Sequence, residues 1–148
     1  MTDDEPHGWG DRLMEAHEAL RRMIAEAIGA AAQAELGPTA TLVEQMRTHC
    51  EIACAYLHGH HASEEDAILP HLLSTNPDLA TTVERLSREH DIIAEQLRQL
   101  EADGDSRPVK ELHQALLALS SHLDKHFAYE EAAIVAPLNA LARPTPWE

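Results

Sequence analysis

Four stretches of the chain repeat apolar residues at spacings of three and four, the signature of helices with one buried face. The first stripe is Leu13, His17, Leu20, Ile24, Ala27 and Ala31. The second is Val43, Met46, Cys50, Ala53, Leu57, His60, Glu64 and Ile68. The third is Leu79, Val83, Leu86, His90, Ile93, Leu97 and Leu100, and the fourth is Leu112, Leu116, Leu119, Leu123, His126, Glu130 and Ile134. Each stripe is apolar except where a histidine or glutamate interrupts it.

Helix breakers separate the stripes. The first helix is expected over about residues 11–35, ending at Gly37-Pro38, where glycine tolerates a left-handed cap and proline cannot continue the helix. The second begins near Thr39 or Thr41, with Thr41 and Glu44 as a capping box, and runs to Leu69, before Pro70. Ser74 to Pro77 links it to a third helix, capped by Asn76 and running to Ala102. A turn at 103–106 leads to a fourth helix, capped by Asp105 or Ser106 and running to Ala136, before Pro137; the tail is expected to be irregular. Short links between long helices predict an all-α fold, an antiparallel up-down-up-down four-helix bundle. The whole chain, 1–148, reads as one domain, with the bundle at about 11–137.

Composition agrees. Aromatics are 3% and hydrophobics 44% of 148 residues, which favours helices over sheets. The net charge of −15 argues against nucleic acid and anionic membranes as partners. No apolar run approaches the ~20 residues of a membrane span, and the acidic segment 1–11 is unlike a signal peptide, so the cytoplasm is the expected compartment. Cys50 and Cys54 lie four apart on one predicted helix and read as core residues. Oligomeric state has no signal in the sequence.

The 11 histidines change the picture. Each stripe holds one: His17 and His90 early in the first and third helices, His60 and His126 late in the second and fourth. In an up-down-up-down bundle these places fall at one end and one depth. Glu64 and Glu130 each follow a stripe histidine by four residues, one turn along the same face. A buried carboxylate is costly unless paired, and no stripe contains Lys or Arg. Imidazoles and carboxylates around a shared centre are ligands for metal. Nitrogen and oxygen together suit iron, manganese or zinc, and the lack of thiolates makes a poor structural zinc site. His61 with Glu65 is an alternative register, shifted by one residue. Glu65 and Glu131 read either as acceptors that orient the ligands or as solvated surface. Tyr129 is placed either near the pocket or on its rim.

The halves also repeat. His60-His61-Ala62-Ser63-Glu64-Glu65 aligns with His126-Phe127-Ala128-Tyr129-Glu130-Glu131, each preceded by a lone stripe histidine, His17 or His90. This ordered pattern resembles the hemerythrin-like family, in its HHE cation-binding branch, over about residues 11–137. The resemblance implies a non-haem centre of two iron ions, with manganese or zinc less suited. It would be held by His17, His60, Glu64, His90, His126 and Glu130, and bridged by the two glutamates and an oxo or hydroxo group. Oxygen, peroxide or nitric oxide would bind at an open position. Oxygen-carrying members have a fifth histidine one turn from that of their third helix. Ala94 stands there, with Leu86 on the other side, so fewer protein ligands are expected, which favours reaction over carriage. His122, one turn before His126, can substitute. No ExxH motif of ferritin-like di-iron bundles occurs. The expected function is chemistry on a small ligand, catalase-like peroxide disproportionation included. The alternative is a module that stores or senses oxygen, nitric oxide or iron without turnover and responds to oxidative stress.

Overall fold

The computed structural model describes residues 8–102 and 107–141. Among these, every regular element is helical: α1 (Trp9–Leu36), α2 (Ala40–Ser63), a π-helical turn (Glu64–Ile68), α3 (Leu69–Thr75), a 3-10 turn (Pro77–Leu79), α4 (Ala80–Ala102) and α5 (Val109–Asn139). Four long helices form a helical bundle. Their inward faces are largely the predicted stripes: every stripe residue of α1 and α5 is buried.

The ends of the helices depart from expectation in instructive ways. Gly37 closes α1 through its N–H to the Gln33 carbonyl, but with φ −147° rather than in the left-handed region. Pro38 supplies the reason for the stop, because it disfavours helical backbone in the residue before it. Thr39, not Thr41, caps α2, accepting the Leu42 N–H at 3.2 Å. Asn76 does not cap the next helix. Its side-chain amide donates back to the Leu72 carbonyl at 3.3 Å and so closes α3. The expected turn at 103–106, its Asp105 or Ser106 cap and the C-terminal tail from 142 lie outside the described residues.

Neither Pro70 nor Pro137 ends a helix. Pro70 falls in the first turn of α3, immediately after the π turn has widened the backbone ladder. Pro137 lies within the last turn of α5, where only one bond is forfeited, and Leu138 just beyond it is fully buried. α1 likewise begins two residues early, because Trp9 is buried, 2% exposed, and anchors that end.

The core is in two parts. One cluster runs from Leu20 to Ala34 on α1 against Met46, Leu57, Ile93, Leu97, Leu116 and Phe127, among others. The other gathers Trp9, Leu13, Ile68, Leu72, Leu86, Ile134 and Leu138. Between them, on all four long helices or the turn that extends them, lies a polar layer: His17, His61, Glu64, His90, His126 and Glu130 are all buried. Pairs across α1 and α5 run from Asp11 with Asn139, through His17 with Glu131 and Arg21 with Asp124, to Glu35 with His113.

Candidate metal centre

The polar layer consists of two groups of ligand-type side chains. His17, His60, Glu64 and Glu130 form one; His61, His90 and His126 form the other; within each, the potential ligand atoms lie within 4.8 Å of one another. All six residues singled out in the sequence are therefore brought together. His61 joins them as a seventh. His122 does not: its Nδ1 lies 2.7 Å from Gln96 Oε1, away from both groups. Glu65 does not enter either group.

The carboxylates span the two groups. Glu64 Oε2 is 3.4 Å from His60 Nε2, and its Oε1 is 3.0 Å from His90 Nε2. Glu130 Oε1 is 2.9 Å from His17 Nε2, while its Oε2 is 3.5 Å from His90 Nε2 and 3.6 Å from His126 Nε2. Each glutamate thus turns one oxygen to each histidine group.

Two consecutive histidines take part, although only one of them lies on the buried stripe of α2. In a regular helix, residues 60 and 61 point about 100° apart, so one stripe holds only one of them. α2 presents its buried face through Leu57 and His61, and keeps His60 at the margin of that face, its side chain 9% exposed. The π turn comes after both histidines and holds Glu64 and Ile68, which are buried as well. Such single π turns are frequent at functional sites.

A family model for the hemerythrin HHE cation-binding domain matches residues 10–138. The chain belongs to that family. No curated protein and no solved structure matches it. Membership in the hemerythrin HHE family implies metal-ion binding, and the side chains of this chain can be tested against that. Seven ring-nitrogen and carboxylate atoms of the layer are buried without a hydrogen-bond partner: Nε2 of His60, His61, His90 and His126, both oxygens of Glu64, and Glu130 Oε2. Groups as near as His90 Nε2 and Glu64 Oε1 face each other off the hydrogen-bonding direction. Leaving so many polar atoms orphaned would be costly, and a cation among them removes the cost. His17 sharpens the point, because both its ring nitrogens face carboxylate oxygens, at 2.7 and 2.9 Å, and a neutral imidazole has one N–H. The residues present fit the metal that the hemerythrin HHE family implies.

Electrostatics agree with that fit. Burial pushes His60 down to about 4 and His61 down to about 2, and also lowers His126, which leaves their lone pairs free. Burial works against a charge on His90 too, but Glu130 and Glu64 outweigh it and push the imidazole up to about 10. Burial, with the charge of Glu130, drives Glu64 well above the usual carboxylate range. Glu130 feels the same burial, yet His17 and His90 hold it well below that range. The layer draws positive charge to itself.

Around it stand three further carboxylates, each accepting from the outer nitrogen of one histidine. Glu131 bonds His17 Nδ1 at 2.7 Å, Glu65 bonds His90 Nδ1 at 2.8 Å, and Glu89 bonds His126 Nδ1 at 2.6 Å. Each is itself held, by Arg21, Ser87 and Arg85 respectively. A proton fixed on Nδ1 leaves Nε2 as the inward donor. For Glu65 and Glu131 the sequence left orienting acceptor and solvated surface open, and the structure places both against a histidine. Glu89 was not legible in the sequence, and its one signal is adjacency to His90. Phe127 was also missed: it stacks on the His17 ring with centroids 4.0 Å apart. Tyr129 packs on the rim, under the Arg85 guanidinium at 3.6 Å.

Proposed function

We propose that the protein is a non-haem di-iron module that binds a two- or three-atom ligand such as oxygen, nitric oxide or peroxide. One observation carries the reading: two groups of imidazoles with a pair of carboxylates turned to both. His17 and His60 would hold one ion, His61, His90 and His126 the other, with Glu64 and Glu130 shared. Nitrogen and oxygen donors without thiolate suit iron over a structural zinc. Iron supplies reversible ligand binding and one-electron chemistry that no side chain here offers. The pairs from Asp11–Asn139 to Glu35–His113 step along α1 and α5 in opposite senses, which supports an antiparallel up-down-up-down order in a single domain.

His61 alters the balance between carriage and reaction. With it the set has five imidazoles, as many as the oxygen-carrying members, and the open position falls to the ion with two nitrogens rather than three. Binding at that one position is therefore preferred over turnover. Metal analysis of purified protein, with optical spectra before and after oxygen and peroxide, tests the reading. About two irons per chain and a reversible oxygen adduct are expected. Full stability with no metal bound would overturn it. Oxygen evolution from peroxide that is lost in Glu64→Ala would assign turnover instead.

A further inference from the structure

A cleft of about 900 Å³ runs between α1 and α2, and His60 forms part of its lining. Its walls carry Arg12, Arg22, Glu15 and Glu18, two charges of each sign in a chain of net charge −15. On the far side of the His60 ring, Nε2 is buried in the polar layer without a partner. One imidazole thus separates a charge-balanced surface cleft from the His17–His60 group. Three other histidines of the layer are covered on their outer sides. Phe127 stacks on His17, and Glu131, Glu65 and Glu89 close over the outer nitrogens of His17, His90 and His126.

We infer that this α1–α2 cleft is the route by which two- or three-atom ligands reach the metal centre, entering past His60. The inference rests on the di-iron reading, and it adds a direction: ligand arrives at the ion with fewer nitrogens. Balanced charge on the walls lets neutral and anionic ligands pass alike.

Gly59 supplies the test. It lines the cleft beside His60, and a Cβ added there meets nothing within 4 Å. Gly59→Leu places a side chain in the cleft from an α2 position where leucine favours helix more than glycine does. Ala19→Leu does so from the α1 wall, should the first variant fold poorly. Ser120→Leu serves as the control, in a separate hollow against Phe127 between α1 and α5.

The measurement is stopped-flow binding of nitric oxide and of azide to the iron-loaded protein, with equilibrium affinity read on the same samples. A blocked route slows association and dissociation together by about tenfold and leaves affinity and iron content unchanged. Ser120→Leu should match the parent. Parent-like rates in Gly59→Leu and Ala19→Leu overturn the route and leave the di-iron reading standing, as does a change confined to the dissociation rate. A parent protein without iron overturns both.

Discussion

His60 and His61 are neighbours in the chain but belong to different groups: His60 sits with His17, Glu64 and Glu130, and His61 with His90 and His126. A single peptide unit therefore ties the two halves of the centre together. Any shift of the α2 backbone there moves a candidate ligand of each group at once.

Loss of His61 should then be felt on one side. His61→Ala is expected to lower iron content towards one per chain or to weaken iron binding by well over tenfold, beyond the ~10–100-fold typical of an outer partner. His122→Ala, which removes only the bond to Gln96, should leave iron content at the parental level. Iron analysis of both variants decides; equal losses would count against His61 as a ligand.

The outer carboxylates should set affinity without being ligands. Glu89→Gln keeps the shape of the side chain but weakens the acceptor for His126 Nδ1, 2.6 Å away. Iron affinity is expected to fall by about 10–100-fold with the iron count at saturation unchanged. Competition with a chelator of known affinity measures the shift, and a fall in saturating stoichiometry would instead make Glu89 a ligand.

Much of this centre was legible because helical periodicity alone picks out His17, His90, His126 and Glu130, each on a regular helix where stripe and buried face coincide. Periodicity is ambiguous at one place: His60 and His61 both lie at helical spacing from Leu57 and Glu64, so the choice between them read as an alternative between registers, whereas the structure brings both into the layer. A π turn adds about one residue to a turn, and no pattern of apolar residues announces it. The same irregularity carries the helix past Pro70. Glu89 was hidden for a different cause: orientation across helices depends on their relative rotation, which one helix's sequence does not encode. On α2 the stripe also favoured Cys50, while the structure buries Cys54 more deeply, 3% exposed.

Metal removal should cost stability, because the layer's buried donors lose the cation that satisfies them. Iron held at ~100 times its dissociation constant stabilises by about 2.7 kcal/mol. At roughly 2–4 °C per kcal/mol for a chain of this size, chelation should lower Tm by about 5–11 °C. Scanning calorimetry with and without chelator measures this. An unchanged Tm would mean that the layer is satisfied without metal.

The two thiols give a pH dependence of definite sign. Burial, with the nearby charge of Glu101, pushes Cys54 up to about 12; burial, with Glu51, pushes Cys50 up to about 11. Below pH 9 both are protonated folded and unfolded, so their contribution is fully present. As pH rises from 9 towards 12 the unfolded chain ionises first, and that stability is lost. Urea midpoints should fall across this window, and fall less in Cys54→Val. Thiol reagents at pH 8 should react far more slowly with the folded protein than with the unfolded chain. Rapid labelling of Cys54 in the folded state would contradict its burial.

Two glycines of α1 should respond to the same substitution with opposite signs. At Gly10 an added Cβ would come 2.2 Å from the Val135 carbonyl oxygen, a backbone atom that cannot swing aside as a side chain can. The close approach lets α1 begin against the end of α5, where Trp9 and Leu138 enter the same cluster. Gly10→Ala must part the helices there and is expected to destabilise by about 1–3 kcal/mol, the usual scale of overpacking. At Gly29, exposed and within the same helix, an added Cβ meets nothing within 4 Å. Gly29→Ala should therefore stabilise by roughly 0.5–1 kcal/mol through helix propensity alone. Urea denaturation of both variants, with slopes matched to the parent, reads the two effects on one scale. If Gly10→Ala proved neutral, the helices would not be in contact at that end, and the burial of Trp9 would need another cause.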